Sequence, residues 1–331
     1  MKKGLKHLIC HLIVAVMPLL SFNVFSFEPL STPDPDDIEF PDDEAHSQAE
    51  VNLGRTLFFD TRLSLNKTQS CATCHNPDLG FSDGMETSIG AMGNRVGRNA
   101  PHLYNLAWNI LQFWDGRASS LEEQALGPIE AAGEMNMPLS ELIPRLDSVS
   151  YYKETFAKVY GRSGVSKENL GRAIAAFERT LISDNAPFDQ YLAGNESAMS
   201  PSAIRGMNLF EDKAGCVECH DGANFTDNSF HNIGVKGSDL GRGPIVNDST
   251  LNKTFKTPGL RNITLSAPYM HDGSEKSLES VVRFYNRGGD DKNGIDALIK
   301  PLELSEQEIN DLVAFMGALL DPVFVVRPKL P

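Results

Sequence analysis

Mostly α-helix, shared between two similarly built halves, is the fold class the sequence predicts. Three observations carry it. The pattern C-x-x-C-H occurs twice, as Cys71-Ala72-Thr73-Cys74-His75 and as Cys216-Val217-Glu218-Cys219-His220. Each copy follows a Leu-Phe pair (Leu57-Phe58, Leu209-Phe210) and precedes a similar phrase (Phe81-Ser82-Asp83, Phe225-Thr226-Asp227), a weak internal repeat. Around the copies, apolar residues recur at helical spacing behind capping residues. C-x-x-C-H is the attachment signature of c-type haem. Two thiols three positions apart can each add across one vinyl group, and the next residue then lies beneath the iron as its proximal ligand. The halves therefore read as two cytochrome-c-like domains, one covalent c-type haem in each, held by Cys71, Cys74 and His75 and by Cys216, Cys219 and His220. A zinc half-site, a redox dithiol or a disulfide pair are the plainer readings of C-x-x-C. The His directly after both pairs argues against them.

In chain order, residues 1–26 read as a signal peptide: Lys2, Lys3 and Lys6, then an apolar run from Leu8 to Leu20, then Val24-Phe25-Ser26 at the cleavage positions. Cys10 leaves with it, so the remaining cysteines all lie in the two motifs. Residues 27–46 are an acidic, Pro/Asp-rich leader, expected to be extended and poorly ordered. The first domain spans 47–187. Ser47 with Glu50 forms a capping-box pattern at its first helix, which ends near Asp60. Residues 76–100 are Gly- and Asn-rich loop. Short helices are expected over Asn105–Trp114, Leu121–Leu126 and Leu139–Leu146. Ser166 caps a clearer one carrying Leu170, Ile174, Phe177 and Leu181. Asn185-Ala186-Pro187 breaks the chain near a domain junction. The second domain, 188–331, opens with Ser200-Pro201 as N-cap and first helical residue. It ends with a helix from the Ser305/Glu308 capping box through Leu320, with Ile309, Leu312, Val313, Met316 and Leu319 as its buried stripe. The C-terminal tail is free to pack back on the first domain.

The chain has 331 residues and a formal charge of -14. An acidic surface argues against nucleic acid and against an anionic membrane surface. After residue 26 no apolar run is long enough to span a membrane. Export and attached haem together point to the periplasm.

Two haems serve either an electron carrier with both irons closed or an enzyme with one iron open. The stretches Asn109 to Arg117, Leu121-Glu122-Glu123-Gln124-Ala125, Gly127-Pro128, Glu134-Met135, Thr257 to Ile263 and Ala267 to Gly273 resemble the bacterial di-haem cytochrome c peroxidase and MauG family, from about residue 47 to 320. The resemblance implies roles. His75 is the proximal ligand of a peroxide-reactive haem. Glu134, with Gln124 nearby, lines its distal pocket and moves a proton between the peroxide oxygens. Trp114 is an electron relay between the haems. A calcium ion sits between the domains, on the Asn99 side chain and the carbonyls of Ser266 and Pro268.

Two departures matter. Where many family members carry a His that blocks the peroxide iron, this chain has Ala91, which cannot ligate; His102, nearby, falls where the family has a small polar residue. Opposite His220, where ordinary peroxidases place Met, this chain has Tyr285, as MauG-type members do, with Met270 as the rival ligand. A phenolate stabilises oxidised iron. The implied reaction is reduction of hydrogen peroxide to water with electrons from a small cytochrome c or a copper protein. The alternative is a MauG-like enzyme that oxidises Tyr or Trp side chains of a partner protein. A pure di-haem electron carrier is the outsider.

Overall fold

The computed structural model describes residues 27–41 and 45–331. The expected signal peptide, its cleavage site and Cys10 lie outside the described residues. Among the described residues no helix is long and apolar enough to cross a membrane.

Helices dominate. The first half carries α1 (Gln48–Phe58), α2 (Cys71–Cys74), α3 (Leu121–Glu130), α4 (Leu139–Asp147), α5 (Ser150–Tyr160) and α6 (Lys167–Glu178). The second carries α7 (Pro187–Leu192), α8 (Pro201–Glu211), α9 (Gly243–Val246), α10 (Leu278–Asn286) and α11 (Glu306–Gly317). Two short strands, β1 (Phe230–His231) and β2 (Phe255–Lys256), pair antiparallel with Phe230 opposite Lys256. The capping signals hold: Ser47, Ser120, Ser166, Ser200 and Ser305 each accept a backbone N–H of the first turn. The box at α1 is only half made, because the Glu50 carboxylate turns to His46 and to the Tyr160 hydroxyl instead of its own N-cap.

Each half has its own apolar core. In the first, Leu53, Leu57, Leu170, Ala173 and Ile174 bring α1 against α6. In the second, Ala203, Phe210, Leu312, Phe315 and Leu319 bring α8 against α11. Both helix pairs cross at a glycine. A Cβ on Gly54 would stand 1.7 Å from the Ala173 carbonyl oxygen, and one on Gly206 would stand 1.9 Å from that of Asp311. The backbones meet because no side chain intervenes.

The repeat extends beyond the haem motifs, at a constant offset of 157 residues. Asn105 (φ 57) and Asn262 (φ 59) each open a one-turn 3-10 helix, over Leu106–Trp108 and Ile263–Leu265. Tight loops follow, closed by the bridges Gln112↔Ala118 and Tyr269↔Glu275, with Phe113 (φ 69) and Met270 (φ 71) in the left-handed region. Serine-capped α3 and α10 come next. Trp114 and His271 thus hold equivalent positions.

Several expectations change. Asn105–Trp114 is not a helix beyond that single turn; two left-handed residues and the Asn105 amide, bonded to the Ser183 carbonyl and the Asn224 side chain, hold it as a loop. Helix α5 escapes the sequence reading because its buried face is aromatic, Tyr152 and Phe156 four apart. Helix α11 stops at Gly317, and Phe315, fully buried, belongs to its stripe. The leader is extended but anchored: Leu30 packs on the second core, the Glu28 N–H donates to Asp221 at 2.8 Å, and the Thr32 hydroxyl donates to Asp189 at 2.9 Å. The tail returns to the first half, with Val323 and Val325 against Phe58 and Phe81 and with Arg327 on Asn76 at 3.0 Å.

Replacing Gly54 by Ala should wedge α1 from α6 and cost about 1–3 kcal/mol, read as a lower thermal midpoint. Gly317→Ala, whose Cβ meets nothing within 4 Å, should leave the midpoint unchanged.

Candidate active site

The first motif forms α2, with His75 at its end. The His75 N–H bonds the Cys71 carbonyl at 2.8 Å. Its ring Nδ1 donates to the carbonyls of Phe81 and Pro101, both at 3.0 Å. That commitment fixes the tautomer and leaves Nε2 as the free lone pair. Burial lowers the imidazole pKa against those two carbonyls, so the ring is neutral. Phe81 can turn its carbonyl inward because it adopts φ 60. The second motif repeats the device: His220 Nδ1 donates to the carbonyl of Phe225, which has φ 57, at 2.9 Å. This is what the repeated Phe-x-Asp phrase does. All four thiols are free.

Cys71, Cys74 and His75 open onto a cavity of about 500 Å³ that also takes in Gln124, Glu134 and Trp114. Its volume lies in the range of cofactor sites. Two free thiols on one helical turn and an imidazole with one nitrogen spent are the donor set a c-type haem requires. Burial raises the Glu134 carboxyl pKa, with Arg117 pulling the other way. Ala91 lies against that residue, its N–H donating to the Glu134 carbonyl at 2.7 Å.

The halves meet at Trp114. Its indole N–H donates to the Asn99 carbonyl at 3.0 Å, and its ring centroid lies 6.5 Å from that of His271, edge to face. Two backbone bonds cross the seam reciprocally, Asn99 N–H to the His271 carbonyl and Lys256 N–H to the Trp114 carbonyl, each 2.8 Å. The Asn99 amide nitrogen is spent on the carbonyls of Met85 and Glu86. Its Oδ1 is the end those bonds leave over; Ser266 and Pro268 come shortly before His271 in the chain. His102 uses both nitrogens, donating from Nε2 to Gly259 at 2.9 Å and accepting the Tyr104 N–H on Nδ1. Neither lone pair is left for a metal.

At the second motif, Tyr285 on α10 is close enough to Cys219 and Cys216 for their charge to act on it; burial first, then those thiols, push its phenol pKa up. Met270 sits in the tight loop after Tyr269. Cys219, Asp227 and His231 bring donor atoms within 4.8 Å of one another. His231 is clamped by Asp227 at 2.9 Å and Asp296 at 2.7 Å and its pKa is raised to about 11, the state of an imidazolium between carboxylates.

Two residues of the cavity wall were not singled out in the sequence. Glu178 is buried, its Oε2 has no partner, and burial pushes its pKa to about 8. It lies four residues after Ile174 on the apolar stripe, a signal that was available. Lys256 is buried with its pKa lowered to about 8 by burial; beside Phe255, nothing in the sequence marks it.

The model of the family described as di-haem cytochrome c peroxidase matches residues 48–197. The chain is 44% identical over 302 residues to the methylamine utilization protein MauG of Methylorubrum extorquens, covering 90% of this chain and 86% of that protein. It is 36% identical over 330 residues to the cytochrome-c peroxidase IdrP1 of a Pseudomonas species, covering 89% and 87%. Among solved structures, a MauG-like protein associated with microbial copper homeostasis superposes with TM-score 0.80 at 30% identity, covering 91% of this chain and 95% of that one.

Burial lowers the His102 pKa from 6.5 to about 4. Between those values the unfolded chain binds a proton that the folded one does not, so stability falls as pH drops through the window. The loss attributable to His102 should reach on the order of 3 kcal/mol by pH 4. Denaturant unfolding at pH 7 and pH 4 should show a smaller difference in His102→Gln than in the parent.

Proposed function

The chain belongs to the di-haem cytochrome c peroxidase family, and from that premise we propose that it is a periplasmic enzyme with two covalent c-type haems that reduces hydrogen peroxide to water with electrons from a small cytochrome c or a copper protein. The reading rests on one cavity that gathers Cys71, Cys74, His75, Gln124 and Glu134, with alanine at position 91. A haem bound there supplies the electron-transfer and peroxide chemistry that side chains lack.

The chain's residues do the rest. Cys71 and Cys74 fix one edge of the cofactor, as Cys216 and Cys219 do in the second half. His75 and His220, their Nδ1 atoms held by the carbonyls of Phe81, Pro101 and Phe225, would offer Nε2 to the irons. Glu134, its pKa raised by burial, takes a proton from the near oxygen of peroxide and returns it to the departing one, so the leaving group is water. Gln124 orients the peroxide by hydrogen bonding. Ala91 leaves the distal side open without prior reduction. Trp114, its indole and backbone carbonyl both hydrogen-bonded at the seam, is the relay between the halves. Tyr285 would be the further ligand of the second haem, preferred to Met270 because the Cys216 and Cys219 thiols act on it; with its phenol pKa raised by burial, ionisation would need a metal's charge. Calcium, if bound, would take the Asn99 Oδ1 and the Ser266 and Pro268 carbonyls, an all-oxygen set.

A second reading, MauG-like oxidation of Tyr or Trp side chains in a partner protein, is favoured by Ala91 with Tyr285 and by the likeness to MauG. The electron source decides between them. Steady-state peroxide consumption with reduced cytochrome c should be fast if the first reading holds. Slow turnover, with mass shifts at Tyr or Trp of a co-expressed partner, would select the second. No peroxide consumption by either route would end both.

Glu134→Gln keeps shape and loses the proton acceptor. It should lower kcat/KM for peroxide by roughly 10²–10⁴-fold while leaving the visible spectrum of the resting protein unchanged.

A further inference from the structure

Four basic side chains line the main cavity, and three have protein carboxylates as partners. Arg98 pairs with Asp115 at 2.6 Å and Asp239 at 2.7 Å, Arg117 with Asp115 at 2.9 Å, and Arg261 with Asp189 at 2.8 Å. Lys256 has no such partner among the described residues. It is 7% exposed, and the one hydrogen bond of its ammonium is to the Thr257 carbonyl at 3.2 Å. An ammonium has three donors, and a buried charge without a counter-charge is costly. The position is rigid, because the Lys256 backbone lies in β2 and its N–H is bonded to the Trp114 carbonyl.

The same wall holds a buried acid. Glu178 is near enough to Cys71 to raise its thiol pKa, and the charges acting on Glu178 are Arg179 and Glu122, while Asp227 acts on Lys256. Glu178 ends α6 in the first half and Lys256 lies in β2 at the seam, so the acid and the lysine reach the cavity from different halves. A c-type haem is itself two-ended: thioethers on its vinyl-derived carbons, carboxylates on its propionate arms. With the thioether edge pinned at Cys71 and Cys74, the propionate edge would face away from those thiols. We propose that the Lys256 ammonium, contributed by the C-terminal half, is the counter-charge for a propionate of the haem attached in the N-terminal half. This rests on the functional reading above, and it makes the cofactor's anionic edge a contact between the halves.

The test is spectroelectrochemical titration of both haems in the holoprotein and its variants, with infrared difference spectra of the propionate carboxylates on reduction. A cation beside a propionate favours the reduced haem. Lys256→Met and Lys256→Gln should each shift one haem's ferric–ferrous equilibrium towards the ferric side by roughly tenfold, about 59 mV for a one-electron couple, and should move its propionate bands. The other haem should stay within twofold. Lys256→Arg should restore both readings. Lys253→Met, which removes a lysine paired with Asp291, should change neither. Unshifted potentials and bands in a two-haem Lys256→Gln protein would overturn this assignment alone. A wild-type protein with no haem at Cys71 and Cys74 would overturn the functional reading and this assignment with it.

Discussion

At the centre of the seam two backbone hydrogen bonds cross between the halves in opposite senses, flanked by side-chain bonds such as Arg98 to Asp239, Arg242 to the Asp115 carbonyl and His102 to Gly259. Asn99 donates to the carbonyl of His271, and Lys256, 157 residues after Asn99, donates to the carbonyl of Trp114. Each half has a separate apolar core, so hydrophobic burial alone would leave the two free to settle at many angles. Backbone groups at a buried seam must find partners, and here each half completes the other's. That pairing fixes Trp114 edge to face with its own repeat equivalent, His271. Trp114, the proposed relay, therefore stands where the two copies meet, a position that follows from the duplication.

Duplication also explains which features differ. Where the halves are alike, the shared chemistry is cofactor holding: a His after two thiols, its Nδ1 tied to the carbonyl of a phenylalanine in the left-handed region. Where they diverge, the two sites acquire separate tasks. Asn99, a neutral amide, has as its counterpart Lys256, a buried cation. Pro128 in α3 has as its counterpart Tyr285 in α10, the phenol beside the second pair of thiols. A symmetrical scaffold thus carries an asymmetrical pair of sites, and single residues make the difference.

Much of this was legible in the sequence. The pentapeptides locate both attachment points, the serine caps place most of the long helices, and the Phe-x-Asp phrase signals repetition. Its purpose was not legible, because a non-glycine residue at positive φ leaves no mark in composition or periodicity. The Asn105–Trp114 loop was mistaken for helix for the same reason: apolar spacing suggests one, while Asn105 and Phe113 bend the chain locally. The seam was hidden for another reason. Lys256 and Glu178 belong to residue types that are almost always solvated, and only the packing of the two halves buries the first. The acidic leader likewise reads as a loose tail until Asp189 and Asp221 of the second half are seen to accept its hydroxyl and amide hydrogens.

Two glutamates in the cavity wall have carboxyl pKa values raised by burial, and exposure separates their uses. Glu178 is 5% exposed and lies next to Cys71, with an oxygen that bonds nothing. A proton lost there has no short route back from solvent. Glu134 is half-buried, on a turn after α3, with the Ala91 loop hydrogen-bonded to its backbone. Burial raises its pKa, against the pull of Arg117, while part of the residue stays open to exchange. A catalytic acid and base needs both properties: a pKa lifted towards the working pH and a path for return of the proton. A histidine at position 91 would present an imidazole beside that carboxylate. The methyl group of Ala91 brings neither a metal ligand nor a competing base, and on the proposed reading that leaves Glu134 as the group to move the proton.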